Sequence, residues 1–355
     1  MQNPTENKAI TIYDIAKEAG VSPSTVSRVL TNNVNVRQEK REKIQGLIEK
    51  YNFTPNAMAR GLSDTKSGVI GIVAADVRNP YYAEVFVACE NAAREAGYTV
   101  LLCNSLSVTE REFLHLEMLQ QQRVEAVIQL GGRADDLVSN EEYVERVNQL
   151  TATIPMVVTG KLDDTKCYEV QIDAEQAAEL LIEHLLGLGH RKIALIGGRK
   201  NVTSTYAKYL KYRELLEKHG IEYREEYVID GSYDYETGYF GMNQVLELED
   251  IPTAVIAIND FAAAGAVRSA VDHGYRIPQD ISIVGYDNTQ LTNLMIPKLT
   301  SIDYDYATLG RKLIDTAIAA ARGRKVPRHQ KVTPSLVVRE SSGQVAERKK
   351  TEAEA

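Results

Sequence analysis

Three carboxylates, Asp76, Asp260 and Asp287, each close an apolar run of strand length, in "GIVAAD", "VIAIND" and "SIVGYD". A carboxylate in that place can exchange a proton with a substrate, accept hydrogen bonds from a ligand's hydroxyls, or cap the helix that follows. Acid–base chemistry needs partner groups at matching spacing, and none is visible. The six histidines (His115, His184, His190, His219, His273 and His329) are scattered, and His190 in "GLGHRKIALIGG" reads as a structural residue just before a strand. The chain has no GxxxxGK[ST], GxSxG or HExxH, and no GxGxxG follows its first strand. Cys89, Cys103 and Cys167 are odd in number and lack CxxC spacing, which fits a reduced cytosol and offers no zinc site. No catalytic residue, cofactor or metal is therefore expected. The C-terminal ends of strands in open α/β sheets are where ligands bind, whether or not chemistry follows.

A second set of chemistry-bearing residues lies in "AGVSPSTVSRVL", residues 19–30. Val26, Val29 and Leu30 are spaced to pack inward, which leaves Ser, Thr and Arg side chains outward. The element that would present them is a short helix capped by Ser22, with Pro23 at its first position, where a missing N–H costs nothing. Ahead of it, "TIYDIAKEAG" opens with Thr11 and Asp14 at capping-box spacing, has Ile12, Ile15, Ala16 and Ala19 as its apolar stripe, and stops at Gly20. Behind it, Asn32 and Asn33 mark a turn into a third, charged helix, "RQEKREKIQGLIEKYN", with Ile44, Leu47, Ile48 and Tyr51 inward. Two short helices joined by a Gly-containing turn make a helix-turn-helix, whose second helix can enter the major groove of DNA. Pro23, Ser24 and Arg28 then face base edges, and Arg28 can fork onto guanine O6 and N7. Thr25, Ser27 and Asn33 are small hydrogen-bonders suited to phosphate. Pattern alone leaves open an amphipathic hairpin on the surface of an enzyme.

Charge supports the first of these. The 355-residue chain is acidic overall, at −8. Residues 1–66 nevertheless carry ten Lys+Arg against seven Asp+Glu, a mildly basic head on a strongly acidic body. After residue 67 the pattern changes to apolar runs, "GVIGIVA", "YTVLLCN", "EAVIQLGG", "IPMVVTG", "HRKIALIGG", "PTAVIAIND" and "ISIVGYD". Helical segments alternate with them, at 82–96, 110–122, 174–187, 205–219, 236–248, 261–273 and 306–322. Continuous apolar strands separated by helices predict parallel sheets covered on both faces, and the length suits two such layers. No run approaches the roughly 18 apolar residues of a membrane span, and "MQNPTENKAI" does not read as a signal peptide. A cytoplasmic protein with no membrane contact is expected.

"TIYDIAKEAGVSPSTVSRVL", followed by "PNAMARGL", resembles the head and hinge of the lactose-repressor (LacI/GalR) family of bacterial transcription regulators. The likeness runs on through "GVIGIVAADVRNPYYAEV", "GHRKIALIGG", "AINDFAAAGAV", "IPQDISIVGYDN", "PKLTSID" and "SLVVRESS", about residues 10–342. The resemblance implies a small all-α helix-turn-helix head at 9–55 and a hinge helix and linker at 56–66. It implies an α/β core at 67–342 like the periplasmic binding proteins, with doubly wound parallel sheets; the polar composition of the last residues predicts a disordered tail at 343–355. The core would have an N-lobe at 67–171 and 303–331 and a C-lobe at 172–302 and 332–342. The implied function is a ligand-controlled regulator, a repressor of carbohydrate-use genes, that binds a palindromic double-stranded operator as a homodimer. It extends the DNA-contacting set to Thr11, Tyr13, Ser22, Asn56, Ala57, Arg60 and Leu62, with Leu62 wedged into the minor groove. The hinge "NAMARGL" is too short to be a stable helix by itself, and Gly61 weakens it by a further ~1 kcal/mol, so it is expected to fold on DNA.

For the effector, the resemblance points to Asn259 and Asp287 as hydroxyl-holding groups, Tyr233 as a stacking ring and Asp234 beside it. Asp76, Asn79, Tyr81 and Tyr82 face them from "DVRNPYY", and Ser204 and Lys208 complete the cleft. The structural alternative is that Asp260, more than Asn259, caps the helix opened by "NDFAAAGAV". The chain departs from the family at three places. Lys208 stands where many members have Arg, Gly160 where sugar-responsive members have Asp, and Val202 where purine-responsive members have Arg. Lys cannot form the planar fork of Arg. A neutral sugar or glucoside is expected, with a purine or other non-sugar effector as the alternative. A sugar-binding transport protein or a sugar-processing enzyme with an added head are readings from other classes.

Overall fold

The computed structural model describes residues 10–30, 36–53 and 67–345. They fall into two compact units that divide between Ser67 and Gly68.

The first unit has helices α1 (Ile12–Ala19), α2 (Pro23–Leu30) and α3 (Gln38–Lys50). Thr11 and Asp14 form the reciprocal capping box, and Gly20 ends α1 at φ 71°, a left-handed conformation that favours glycine. Ile15, Ala16, Ala19, Val26, Val29 and Ile44 make a small core against which Ile12, Leu30, Leu47 and Ile48 pack. Tyr51 departs from expectation. Its hydroxyl donates to Glu18 at 2.7 Å, where Lys50 also pairs, and Phe53 packs on the core instead. A phenol needs a polar partner, and the helix end lets it reach one.

The second unit holds two six-stranded sheets. Its elements run β1 (Val69–Ala74), α4 (Pro80–Glu95), β2 (Thr99–Asn104), α5 (Thr109–Gln121), β3 (Ala126–Leu130), α6 (Glu141–Thr151), β4 (Met156–Val158) and β5 (Tyr168–Ile172). Then follow α7 (Ala174–Gly187), β6 (Ile193–Ile196), α8 (Thr203–Lys218), β7 (Val228–Ile229), α9 (Tyr235–Leu246), β8 (Ala254–Ala257), α10 (Asp260–Asp272) and β9 (Ser282–Asp287). The short α11 (Leu291–Leu294), β10 (Thr300–Asp303), α12 (Tyr306–Ala321), β11 (His329–Val332) and β12 (Ser335–Val337) complete it. The first sheet has the order β11-β5-β4-β3-β1-β2 and is parallel throughout. The second has the order β12-β10-β9-β8-β6-β7 and is parallel except for β12 against β10. The chain passes from the first sheet to the second after β5, back after β10, and over again after β11.

Each sheet has an apolar cluster on both faces, as continuous apolar strands require. The exception is β2, "TVLLCN". As an edge strand it buries only Cys103 and leaves Leu101 and Leu102 part exposed. Gly343 and Val345, assigned from sequence to a disordered tail, are held. The Gly343 carbonyl accepts from His190 Nε2 at 3.0 Å and Val345 N–H donates to Leu188. His190 also bonds Thr253 through Nδ1, at 2.9 Å. No described helix is long and apolar enough to cross a membrane.

Candidate functional site

In the head, the N-terminus of α2 carries a cluster of hydroxyls. Ser22 Oγ lies 2.8 Å from Ser24 Oγ and 2.9 Å from Thr25 Oγ1, and it accepts from Thr25 N–H at 3.3 Å as the helix cap. Ser24 and Arg28, four residues apart, are exposed on one face of α2. Pro23, Thr25 and Ser27 are half-buried, Thr11 is exposed, and Tyr13 stands 70% exposed at the start of α1. A short helix with an exposed Arg, two exposed hydroxyls and an apolar back has the chemistry to read base edges. Asn33, Asn56, Ala57, Arg60 and Leu62 lie outside the described residues.

In the core, one cavity of about 640 Å³ lies where the C-terminal ends of both sheets meet. Asp76, Asn79, Tyr81, Tyr82, Ser204, Lys208, Tyr233, Asp234, Asn259 and Asp287 all line it. It is the crevice that open α/β sheets use for ligands. A second cavity of similar size, near His190 and Lys192, opens at the N-terminal strand ends. There Arg191 is held by the carbonyls of Leu186 and His190, and Lys192 by Asp250.

Several lining groups are already engaged. Asp76 takes the Arg78 guanidinium through two oxygens, at 2.7–3.1 Å, and that cation holds its carboxyl below the ordinary range. Asn79 caps α4 by accepting from Tyr81 N–H, and Asp234 caps α9 by accepting from Thr237 N–H at 2.8 Å. Capping in "NDFAAAGAV" falls to Asn259, not Asp260. Asn259 Oδ1 accepts from Ala262 N–H at 2.8 Å and Nδ2 donates to the Tyr233 carbonyl at 3.0 Å. Asp260 instead sits in the core and accepts from Thr289 N–H, Thr289 Oγ1 and Ser301 Oγ. Burial pushes its carboxyl up to about 7 against those bonds. The register decides this: the cap is the last residue with extended backbone before the helix, which is Asn259.

Asp287 ends β9 with φ 100°, a conformation that non-glycine residues seldom adopt, and Asn288 follows at φ 50°. The turn is clamped by Tyr306, whose hydroxyl donates to the Asp287 carbonyl at 2.7 Å, and by Ser301 and Arg339 on Asn288. Strain held this firmly clusters where a side chain must be aimed. Burial drives the Asp287 carboxyl well up, Asp260 adds to this, and Lys208 and Tyr304 oppose it. Lys208 lines the cleft and is buried, with Nζ 3.9 Å from the Tyr286 ring centroid and a long bond to the Ile258 carbonyl. Burial lowers its amine to about 8 while Asp287 and Asp135 hold it up. The Tyr233 hydroxyl bonds Thr205 at 2.8 Å, and the Arg199 guanidinium lies 5.8 Å over its ring.

Sequence reasoning missed Asp135, Arg199, Thr205 and Tyr304, which also line the cavity. Asp135 had a signal: "GGRADD" follows an apolar run, as the selected carboxylates do. Among the described residues no group of three or more His, Cys, Asp or Glu could hold a metal ion.

A helix-turn-helix and a two-lobed core with a polar crevice, carried on one chain, define a DNA-binding regulator with a small-molecule site. Residues 11–56 match the family described as "Bacterial regulatory proteins, lacI family", and residues 182–342 match a "Periplasmic binding protein-like domain". The chain is 34% identical over 310 residues to catabolite control protein A of Priestia megaterium, covering 86% of this chain and 91% of that protein. It is 31% identical over 338 residues to the HTH-type transcriptional repressor PurR of Haemophilus influenzae, with 93% and 98% covered. Its fold matches the lac repressor dimer bound to operator and the anti-inducer ONPF, with a TM-score of 0.84, 29% identity, and 96% and 100% covered. The chain belongs to the LacI family and is a DNA-binding transcriptional regulator, of a family that is not enzymatic.

Proposed function

We propose that this regulator is a cytoplasmic repressor that binds a palindromic operator as a homodimer and is controlled by a neutral sugar or glucoside. In this reading the head spans 9–55, the hinge 56–66 and the core 67–342, with the lobes divided near residues 171, 302 and 331. Thr11, Tyr13, Ser22, Pro23, Ser24, Thr25, Ser27, Arg28 and Asn33 contact the DNA from the head. Asn56, Ala57, Arg60 and Leu62 do so from the hinge. The operator-bound lac repressor dimer, similar over nearly the whole chain, supports this assembly.

The observation that carries the effector reading is the lining of the crevice. Five carboxylates (Asp76, Asp135, Asp234, Glu236 and Asp287) stand there against three cations, Arg78, Arg199 and Lys208. A ring of hydroxyls meets acceptors on several sides and the rings of Tyr81, Tyr82 and Tyr233. A purine is the second reading, because a flat base could stack on the same rings. Val202, where purine-responsive members have Arg, weighs against it.

The test is calorimetry of the full chain with the sugar selected from a panel of hexoses, disaccharides and glucosides by thermal shift. Asp287→Asn is expected to weaken that binding by about 1–3 kcal/mol, the cost of leaving a buried hydrogen-bonding group mismatched. Unchanged affinity would move the site away from Asp287.

A further inference from the structure

The cavity beside His190 lies at the opposite end of the second sheet from the crevice. It measures about 680 Å³ and opens where β6, β8 and β9 begin. Its walls come from the turn into β6 at 189–192, from Ile251 and Thr253 ahead of β8, from the connection between α10 and β9, and from Gln344 and Val345. A space of that size takes a small molecule.

The polar groups on these walls are mostly donors. Arg191 is exposed there, and its Nη1 donates to the carbonyls of Leu186 at 3.0 Å and His190 at 2.9 Å. Two backbone carbonyls thereby fix the guanidinium plane. The other edge, Nε and Nη2, takes no partner among the described residues, and such an edge matches two oxygens of one anionic group. Tyr275, Gln279 and Gln344 add a hydroxyl and two amides, whose side chains also take no hydrogen-bond partner among the described residues. Ile251, Pro278 and Val345 give the same cavity apolar wall.

The carboxylates close by are already paired. Asp250 is shared by Lys192 and Arg224, and Asp280 takes the Arg276 guanidinium through both oxygens, at 2.8 and 2.7 Å. The lining and its direct partners therefore set Arg191, Lys192, Arg224 and Arg276 against Asp250 and Asp280, a positive balance on an acidic body. A local field of that sign favours an anion over a neutral ligand. The two histidines are engaged elsewhere, His190 on Thr253 and Gly343 and His273, through Nδ1, on the Ser269 carbonyl at 2.9 Å.

We propose that this cavity is a second ligand site, for a small organic anion whose carboxylate or phosphate head docks on the free edge of Arg191 and whose apolar body lies on Ile251, Pro278 and Val345. The site is independent of which effector fills the crevice.

The test measures amide exchange of the full chain with benzoate, with phenyl phosphate and with benzamide, the uncharged analogue of benzoate, at matched ionic strength. Arg191→Ala and Arg191→Lys are compared with the wild type, each first shown to unfold cooperatively. Both anions are expected to slow exchange at 189–192 and 273–280, and benzamide to leave it unchanged. The stronger of the two anions identifies the head group. Arg191→Ala should raise the concentration for half-maximal slowing about 10-fold or more. Arg191→Lys, which keeps the charge without the planar fork, should also weaken it. No slowing at either segment with anion up to about 20 mM, a range that covers millimolar affinity, overturns the site. Slowing by benzamide equal to that by benzoate overturns its selectivity for an anion. Slowing unaltered in Arg191→Ala overturns the anchoring role of Arg191.

Discussion

Glu112 is a buried acid whose ionisation bears on the stability of the fold. It lies on α5 with no exposure, beneath the turn at 131–133, and its carboxylate faces the Arg133 N–H at 3.4 Å. Burial pushes its carboxyl up to about 7, against pulls from Tyr143 and Arg133. The unfolded chain releases this proton near 4.5, and the folded chain keeps it to about 7. Stability from this position is therefore full below about pH 4.5 and is lost as pH rises towards 7. Glu112→Gln cannot ionise, so its stability relative to the wild type should improve between pH 5 and pH 8, on the order of 2 kcal/mol. Denaturant unfolding at the two pH values measures this. A difference that does not change with pH contradicts a buried, ionising Glu112.

At the scale of elements, the packing of the short 3-10 helix Gly132–Asp135 on Gly160 makes a direct prediction. Gly160→Ala places a methyl group against backbone, which cannot move as a side-chain tip can. A cost of roughly 1–3 kcal/mol is expected, with faster amide exchange in residues 131–136. Unchanged stability and exchange would mean that the turn does not depend on this close approach.

The legibility of these elements in the sequence follows from where their information lies. The seven apolar runs after residue 67 each contain a strand, and the seven helical segments each overlap a helix within a few residues. Local pattern is enough for elements buried on both faces. It fails for β5, "YEVQI", which alternates polar and apolar residues, and for β7, which is two residues long. The helix α6 was also unassigned, although Tyr143, Val147 and Leu150 carry a helical stripe behind the Asn140 cap. Its polar, charged face outweighs those three apolar positions. The same division holds in the crevice. Asp76, Asn259 and Asp287 stand at strand ends and can be picked out by position. Asp135 depends on a glycine 25 residues away and on a serine in the other lobe, and neither contact leaves a local pattern.

For the whole molecule, the basic balance of residues 1–66 and the acidity of the remainder divide the work between a DNA-facing head and a ligand-facing core. The central claim is that the head reads sequence, and it is tested most directly by binding of the full chain to duplexes enriched from a random pool. The enriched sites should be palindromic and bound about 10³-fold or more tighter than scrambled DNA near physiological salt. Their affinity should fall linearly as log salt rises. Arg28→Ala should lose about 1–3 kcal/mol and its base preference at one position in each half-site. Equal affinity for enriched and scrambled duplexes, or an unaltered preference in Arg28→Ala, would contradict the account.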